Sequence, residues 1–428
     1  MKNKLIGIII CMLLIVTAIS AVGQIKDISI IKDDNETNPT NNNGVTWMKT
    51  YGGLGTDYGQ MVQLTNDGCY IVAGWTMTSI NDNDYWLIKI DAMGSIIWDK
   101  TYDSGRDDWC SAVIQTSDDG FILVGNTADD NYADYDIWLI KTDKNGVIEW
   151  DKTYMEGDAG PLQDVIQTGD GGYAILSGDY FEAHIIRTDD TGNIIWDKEI
   201  SDLGVHGYGE YIKQTLDDGF IIAGSKPGYT GFPLVWLIKL DSDGNILWDK
   251  TFETEYGYAH SVQLTNDGGI IILGVERSDS HKGPWLIKTD SIGELIWDKK
   301  IGSSTQYIVG IDVQQTIDNG YIIAGKVLSI LNTHEPFLIK TDSEGQVEWR
   351  KIYGDYSRAG FYSVQQTTDG GYIAVGAANC PVMSDLLLIK TNAKGNVARN
   401  RVFTNSFLMR LFEQLPNAFP ILRQLLVS

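Results

Sequence analysis

The sequence has little cysteine. Four cysteines occur among 428 residues, and one of them, Cys11, lies in the apolar N-terminal segment. The other three, Cys69, Cys110 and Cys380, can form at most one disulfide bond. A disulfide-stapled scaffold is therefore excluded, and the folded part of the chain must depend on a buried apolar core.

Basic residues are also scarce. The chain has 33 lysines and arginines against 57 aspartates and glutamates, which gives a formal net charge of −24. A surface of that sign repels phosphate backbones, so we expect no nucleic-acid partner. The same surface attracts cations and favours solubility outside a cell.

Recognised catalytic and metal-binding motifs are missing. The five histidines show no HExxH spacing, and the chain has neither a GxSxG nucleophile elbow nor a phosphate-binding loop. Stretches such as Asn81–Asp84 offer oxygen ligands but lack the distal glutamate of a calcium loop. We therefore expect no cofactor and no resident metal, and calcium is the one alternative that these stretches leave open.

What the sequence has in abundance is one repeated unit. Its tryptophan recurs at steps of 46 to 52 residues, at Trp47, Trp98, Trp150, Trp196, Trp248, Trp297 and Trp349. Seven turns rich in Asp, Asn and Gly, from Asn66–Gly68 to Asp369–Gly371, each precede a continuous apolar run. A period of this length indicates a propeller or a similar array, and the turns indicate four short strands per unit, named a to d in chain order.

The repeat predicts an all-β fold, a seven-bladed β-propeller of four-stranded blades over residues 44–398. A single unit cannot bury its own faces, so the units must stack, and a closed ring protects their edges. The chain enters on a strand d sequence at Trp47, whereas the segment after Gly395 has no tryptophan. We therefore predict that the N-terminal strand completes the last blade. We also predict an ion pair between strands c and d, Lys89 with Asp99 in the first unit.

The unit resembles known propeller repeats. Its element order and N-terminal closure are similar to those of WD40-type propellers, and Ile238–Lys250 (IKLDSDGNILWDK) resembles the tryptophan-bearing repeat of quinoprotein-type propellers. The whole unit most closely resembles repeats of uncharacterised secreted propeller proteins of prokaryotes, archaea among them. This resemblance spans residues 45–398 and implies the fold but no activity. Quinoprotein-type enzymes carry an adjacent cysteine pair, which this chain lacks, so a quinone cofactor is not expected.

The segments that flank the repeat differ from it in composition. Residues 1–23, with a basic start and an apolar run, predict a signal peptide, and an uncleaved membrane anchor is the alternative. Residues 24–43 are polar and predict a linker, with a glycosylation pattern at Asn35. Residues 399–428 are basic and rich in Leu and Phe, and they predict an amphipathic tail that packs on the propeller or contacts a membrane or envelope. We therefore expect a secreted or surface-attached protein.

Aromatic and acidic residues recur near the start of strand a, where the d–a and b–c loops of a propeller share one face. Aromatic rings beside carboxylates suit stacking on a sugar ring and recognition of its hydroxyls. The predicted ligand site comprises Tyr58, Trp109, Tyr208, Tyr258, Tyr307, Phe361, Asp57, Asp108 and Glu210. Packing of the same aromatics in the corner between strands d and a is the alternative.

Two hypotheses for function follow. The first is a non-catalytic scaffold that binds a protein or polysaccharide at the cell surface, because an export signal and regular repeats occur without a catalytic set. The second is a carbohydrate-active hydrolase or lyase in which Asp57, Asp108 and Glu210 act as acid and base. We favour the first hypothesis and assign no catalytic residue.

Overall fold

The computed structural model describes residues 45–398 except 54, 80–81, 129–134, 155–161, 179–182, 201–207, 228–231, 255–256, 278–281, 303–306, 329–332, 355–357 and 380–383. The predicted signal peptide, linker and C-terminal tail lie outside the described residues. Within that described part, no helix is long and apolar enough to cross a membrane.

The described strands form seven antiparallel sheets of four strands each, the blades of a propeller. Blades 1 to 3 consist of β2 (Asp57–Leu64), β3 (Tyr70–Ser79), β4 (Asp82–Ile90) and β5 (Ile96–Tyr102); β6 (Asp107–Gln115), β7 (Phe121–Ala128), β8 (Tyr135–Thr142) and β9 (Ile148–Tyr154); and β10 (Leu162–Gln167), β11 (Tyr173–Gly178), β12 (Ala183–Thr188) and β13 (Ile194–Glu199). Blades 4 and 5 consist of β14 (Tyr208–Gln214), β15 (Phe220–Pro227), β16 (Pro233–Leu240) and β17 (Ile246–Phe252); and β18 (Gly257–Leu264), β19 (Ile270–Arg277), β20 (Lys282–Thr289) and β21 (Leu295–Lys300). Blades 6 and 7 consist of β22 (Tyr307–Gln315), β23 (Tyr321–Leu328), β24 (His334–Thr341) and β25 (Val347–Ile352); and β26 (Ala359–Gln366), β27 (Tyr372–Asn379), β28 (Ser384–Thr391) and β1 (Trp47–Tyr51). The predicted all-β, seven-bladed propeller is confirmed.

Blade 7 takes its outermost strand from the N-terminal end of the propeller. β1 pairs antiparallel with β28, with Trp47 opposite Lys390 and Tyr51 opposite Leu386. Trp47 also packs edge to face on Tyr70 of blade 1, with ring centroids 6.4 Å apart. The predicted closure of the last blade by the N-terminal strand is confirmed.

The a–b turns form as their composition predicts. In each turn an aspartate side chain accepts a hydrogen bond from the threonine two residues before it, as Asp267 does from Thr265. The residue after that aspartate has a positive φ in every blade. It is glycine in four turns, and in the other three it is Asp119, Asp218 or Asn319. Asp and Asn are the residues besides glycine that tolerate this conformation best, which explains the turn composition.

The recurring tryptophan of strand d joins each blade to the next. Trp98 packs edge to face on Phe121 of blade 2, with ring centroids 6.0 Å apart. Its ring also lies against the c–d turn of that blade, where a Cβ added to Gly146 would come within about 3.0 Å of the indole. Gly146 has φ +74°, so a side chain there would be strained as well as crowded. The same contact of tryptophan with glycine recurs in the pairs Trp47–Gly94, Trp150–Gly192, Trp196–Gly244, Trp248–Gly293, Trp297–Gly345 and Trp349–Gly395.

The predicted ion pair between Lys89 and Asp99 is wrong. A β-bulge between Lys89 and Ile90 places Lys89 opposite Trp98 and shifts Asp99 opposite Ile88. The lysine instead pairs with Asp67 of the a–b turn in its own blade. The other six blades repeat that ion pair, as Lys141–Asp118, Arg187–Asp170, Lys239–Asp217, Lys288–Asp267, Lys340–Asp318 and Lys390–Asp369.

The strand d aspartate has a different partner, the indole N–H of the strand c tryptophan. Trp86 Nε1 donates to Asp99 at 3.2 Å, and Trp285 Nε1 donates to Asp298 at 2.7 Å. Blades 2 and 4 contain the same bond. A buried indole N–H needs an acceptor, and the aspartate of the WDK sequence supplies it.

Candidate functional site

The first strands of all seven blades surround a cavity of about 830 Å³ on the propeller axis. Its wall is tied together from blade to blade by glutamine side chains. Gln63 Oε1 accepts the backbone N–H of Gln115 in blade 2 at 2.6 Å, and Gln314 Oε1 accepts that of Gln366 in blade 7 at 2.7 Å. These bonds satisfy strand-edge donors that would otherwise face the cavity, so the wall is a fixed scaffold.

A β-bulge in the first strand turns extra side chains toward this cavity. In blades 1, 2, 4, 5, 6 and 7 the pairing with the second strand skips one residue. In blade 4 the skipped residue is Glu210, whose side chain is not described. The skipped residues of the other five blades line the cavity: Gln60, Ser111, His260, Ile311 and Tyr362. A bulged residue leaves the strict alternation of its strand, which re-aims its side chain. Strand alternation in the sequence carries no signal of this register change, and these five residues were not predicted.

Three aromatic rings form a cluster beside the cavity, where blades 7 and 1 adjoin. Tyr58 stacks on Trp75 with centroids 4.6 Å apart, and it lies 6.4 Å from the ring of Tyr362. Tyr362 lines the cavity, and so do Tyr258 of blade 5 and Tyr307 of blade 6. We call Tyr58, Trp75 and Tyr362 the aromatic mouth. Of the predicted residues, Tyr58 belongs to this cluster, and Tyr258 and Tyr307 line the cavity.

Two lysines enter this cavity of an acidic protein. Lys326 Nζ lies 5.8 Å from the centroid of Tyr362, and burial lowers its pKa. No carboxylate among the described residues lies within 4 Å of that ammonium group. Lys213, by contrast, forms an ion pair with Asp164 at 3.3 Å. Of these two lysines, Lys326 is therefore the one whose ammonium group can bind an anionic or hydroxyl-bearing ligand.

The other predicted residues either have different neighbours or have side chains that the structure does not describe. Phe361 is fully buried and packs on Tyr353 with centroids 5.8 Å apart, so the structure places it in the core. Trp109 is half-buried and lies 6.2 Å from the ring of Tyr135. The side chains of Tyr208 and Glu210 lie outside the described residues.

The predicted carboxylates Asp57 and Asp108 are both buried and hold backbone turns. Asp57 Oδ2 accepts the N–H of Gly53 at 2.7 Å, and its other oxygen accepts a bond from Thr76. Asp108 accepts bonds from the N–H and the hydroxyl of Ser104 at 2.8 and 2.7 Å. These bonds fix the connections that lead into β2 and β6.

Asp312 lies in the cavity wall, and its protonation makes the stability of the protein depend on pH. Its carboxylate accepts bonds from Val364 N–H and the Ser261 hydroxyl, both at 2.9 Å, and burial raises its pKa to about 6. Because the folded-state pKa exceeds the unfolded value, the folded protein binds the extra proton between about pH 4 and 6. Stability from this group therefore falls as the pH rises through that window.

We expect the Asp312→Asn variant to lose this part of the pH dependence. Its thermal midpoint should rise relative to that of the wild type as the pH goes from 4 to 7, by the equivalent of at most about 3 kcal/mol. Melting curves at pH 4, 5, 6 and 7 measure the difference. Midpoints of the two proteins that run parallel across this range would contradict the assignment.

No protein-family model matches the chain, and no curated protein matches its sequence. The chain is similar to solved structures at low identity. One is an ulvan lyase of polysaccharide lyase family PL25 bound to -[GlcA(1-4)Rha3S]-, with 9% identity, a TM-score of 0.50 and coverage of 82% of this chain and 95% of that one.

Two further structures are the Neurospora crassa Pan2 WD40 domain and a protein of unknown function from Dyadobacter fermentans. They have 10% identity each, TM-scores of 0.49 and 0.47, and coverage of 78% and 82% of this chain and of 89% and 98% of theirs. At such identities the likeness shows the propeller fold alone. A propeller fold by itself does not decide function.

Proposed function

We propose that this chain is a non-catalytic binding propeller that takes a saccharide at the aromatic mouth of its axial cavity. The observation that carries the proposal is the cluster of Tyr58, Trp75 and Tyr362 beside Lys326, which has no carboxylate partner among the described residues. Aromatic faces stack on the apolar faces of sugar rings, and the cavity volume is within the range of about 300–1,000 Å³ that is typical of small-molecule sites.

Polar groups of the cavity wall suit the hydroxyls of such a ligand. Gln60, Ser111 and His260 lie at bulges and line the cavity, so their amide, hydroxyl and imidazole groups can reach a molecule inside it. Lys326 favours a saccharide that carries a carboxylate, because a charge in a partly desolvated site interacts more strongly than one in water. The net charge of −24 opposes a long polyanion, but physiological salt screens that repulsion beyond about 8 Å. We therefore expect a short acidic oligosaccharide or a chain end.

We also propose that the protein acts outside the cell, because residues 1–23 have the pattern of a signal peptide. The hydrolase or lyase alternative needs an acid and a base. The predicted carboxylates whose side chains are described, Asp57 and Asp108, instead hold turns of the backbone. A polysaccharide on the cell surface or in the surroundings is the proposed partner, in preference to a protein.

The test is calorimetric titration of the full-length chain with uronic-acid and neutral oligosaccharides. We expect binding of the acidic series, weakened about 5- to 30-fold by Tyr362→Ala or Lys326→Met, since one lost stacking or charge contact is worth about 1–2 kcal/mol. Lys144→Met is the matched control, because Lys144 is an exposed lysine of a c–d turn, away from the cavity.

Three results would overturn the proposal. One is that no saccharide of either series binds, and another is that Lys144→Met weakens binding as much as Lys326→Met does. The third is that the wild type releases unsaturated or newly reducing products from the oligosaccharides, which would support the enzymatic alternative. Thermal melts of each variant separate lost contacts from lost folding.

A further inference from the structure

Three carboxylates meet where blades 1 and 2 adjoin, outside the axial cavity. Asp84 lies on β4 of blade 1, Asp108 lies on β6 of blade 2, and Asp103 lies in the connection between β5 and β6. One carboxylate oxygen from each of the three lies within 4.8 Å of the others. Asp84 and Asp108 are buried, and Asp103 is exposed, so the cluster opens to solvent on one side.

Further carboxylates lie near this cluster. Burial raises the pKa of Asp84, a hydrogen bond with Thr78 lowers it, and the carboxylates of Asp103, Asp82 and Asp107 raise it. Burial likewise raises the pKa of Asp108 to about 6, with a smaller contribution from Asp84. Two buried carboxylates that lie this close together are stabilised in their charged form by a cation.

A second observation points to a bound ion. Asp84 is 5% exposed, and its Oδ1 atom is fully buried without a hydrogen-bond donor among the described residues. Buried polar atoms almost always have a partner, so an oxygen without one indicates an ion or a water molecule at that position. Asp84 also has a hydrogen bond with Thr78, but the other two side chains of the cluster are carboxylates, which cannot supply a donor to Oδ1 when charged, and this favours a cation.

The side chains around the cluster hold it in place. Asn83 donates its backbone N–H and its side-chain amide to Asp107 Oδ1, at 3.0 and 3.1 Å, and so ties β4 to β6. Ser104 donates two bonds to Asp108 and fixes the orientation of that carboxylate. The bonds from Ser104 are of the outer-sphere kind that orients a metal ligand before the ion arrives.

We propose that Asp84, Asp103 and Asp108 bind a calcium ion between blades 1 and 2. Oxygen ligands alone suit hard cations, and a cluster without histidine or cysteine does not suit zinc or copper. Calcium accepts six to eight oxygens in flexible geometry, so water on the exposed side of Asp103 completes its coordination. Magnesium demands a nearly ideal octahedron and loses its water reluctantly.

The junction between blades 7 and 1 provides an internal comparison. Asp385 and Asp57 stand there at the positions of Asp84 and Asp108, but Gly52 stands at the position of Asp103. No three-carboxylate cluster forms at that junction among the described residues. The proposal therefore assigns one ion to the described part of the propeller.

Calorimetric titration of the chelator-stripped full-length chain with calcium chloride at pH 7.5 tests the proposal. We expect one saturable site, weakened at least tenfold by Asp103→Asn and by Asp84→Asn. Asp103→Asn is the cleaner variant, because its side chain is exposed and keeps an acceptor for the N–H of Gly105. Asp218→Asn is the matched control, since it removes an exposed charge at a positive-φ turn position that asparagine tolerates.

The thermal midpoint provides a second readout. Calcium at about 100 times its dissociation constant should raise the midpoint of the wild type by about 3–4 °C and that of Asp103→Asn by much less. Absence of a saturable site in the wild type would overturn the proposal. So would an equal loss of binding in Asp218→Asn, which would indicate general attraction to the acidic surface, or a response to magnesium as strong as that to calcium.

Discussion

A chain that starts at Gly52, and so lacks β1, will not form a stable closed propeller. Trp47 and Tyr51 of β1 are both buried, and truncation of one buried aromatic side chain costs about 3–5 kcal/mol. The loss of the pairing with β28 adds about 1 kcal/mol for each hydrogen bond. Together these losses approach the whole stability of an ordinary domain, about 5–15 kcal/mol.

The effect is large because β1 closes the ring as well as completing a sheet. Tyr51 donates its hydroxyl hydrogen to Gly94 O of blade 1 at 2.9 Å, and Lys49 Nζ donates to the same oxygen at 2.7 Å. Without β1, the edge of β28 is exposed and blade 7 loses the contacts of its outermost strand with blade 1. An unpaired strand edge also promotes association between chains.

Circular dichroism melts and size-exclusion chromatography of chains 45–428 and 52–428 measure the effect. We expect a cooperative transition in the longer chain and, in the shorter one, association or a midpoint lower by about 10 °C or more. A synthetic peptide of residues 45–53, added in trans, should restore part of the transition. The expectation fails if the shorter chain melts cooperatively within a few degrees of the longer one.

Trp196→Ala in the full-length chain is the matched control. Trp196 packs on Phe220 and against Gly244 as Trp47 packs on Tyr70 and Gly94. Its strand, however, is retained in this variant, so the substitution removes the side-chain contact while all seven blades keep their four strands. The difference between this variant and the truncated chain measures what the closing strand contributes beyond its tryptophan.

The fold was predictable from the sequence because each of its determinants is local. A hairpin turn needs residues that tolerate positive φ, and Asp119, Asp218 and Asn319 stand where the other blades have glycine. The period of the tryptophans then fixes the number of blades, and the strand d sequence around Trp47 predicts the closing strand. None of these inferences requires the register within a blade.

The side-chain partners were less predictable because they depend on bulges. One skipped residue in strand d moves Lys89 from Asp99 to the turn aspartate Asp67. One skipped residue in strand a turns Tyr362 into the axial cavity and leaves Phe361 in the core. Phe361 shares its position in strand a with Cys110 and Ala259, which are also buried. The small side chains at this position in other blades indicate the core, and they could have predicted that Phe361 is buried.

Replacement of Asp164 by alanine will destabilise the propeller by about 2–4 kcal/mol. Asp164 is buried in the cavity wall, where its Oδ2 accepts the backbone N–H of Ile212 at 3.1 Å and lies 3.3 Å from Lys213 Nζ. Alanine leaves both of these donors in blade 4 without that acceptor. The side chain of Lys213 is about a third exposed, so water reduces the penalty below that of a fully buried charge.

Two further variants separate the contributions of the hydrogen bond and the charge. Asp164→Asn keeps an acceptor for Ile212 N–H but removes the negative charge, so we expect it to cost about half as much as alanine. Asp164→Ala combined with Lys213→Met removes the unpaired cation and should recover part of the loss. With the single variant Lys213→Met added, denaturant midpoints at constant m-value give the four stabilities of the double-mutant cycle, which are those of the wild type, the two single variants and the double variant. If the unfolding free energy of Asp164→Ala lies within about 0.5 kcal/mol of that of the wild type, the carboxylate does not join blades 3 and 4. If the double variant is no more stable than Asp164→Ala, the loss of stability comes from the N–H of Ile212 and not from the ion pair.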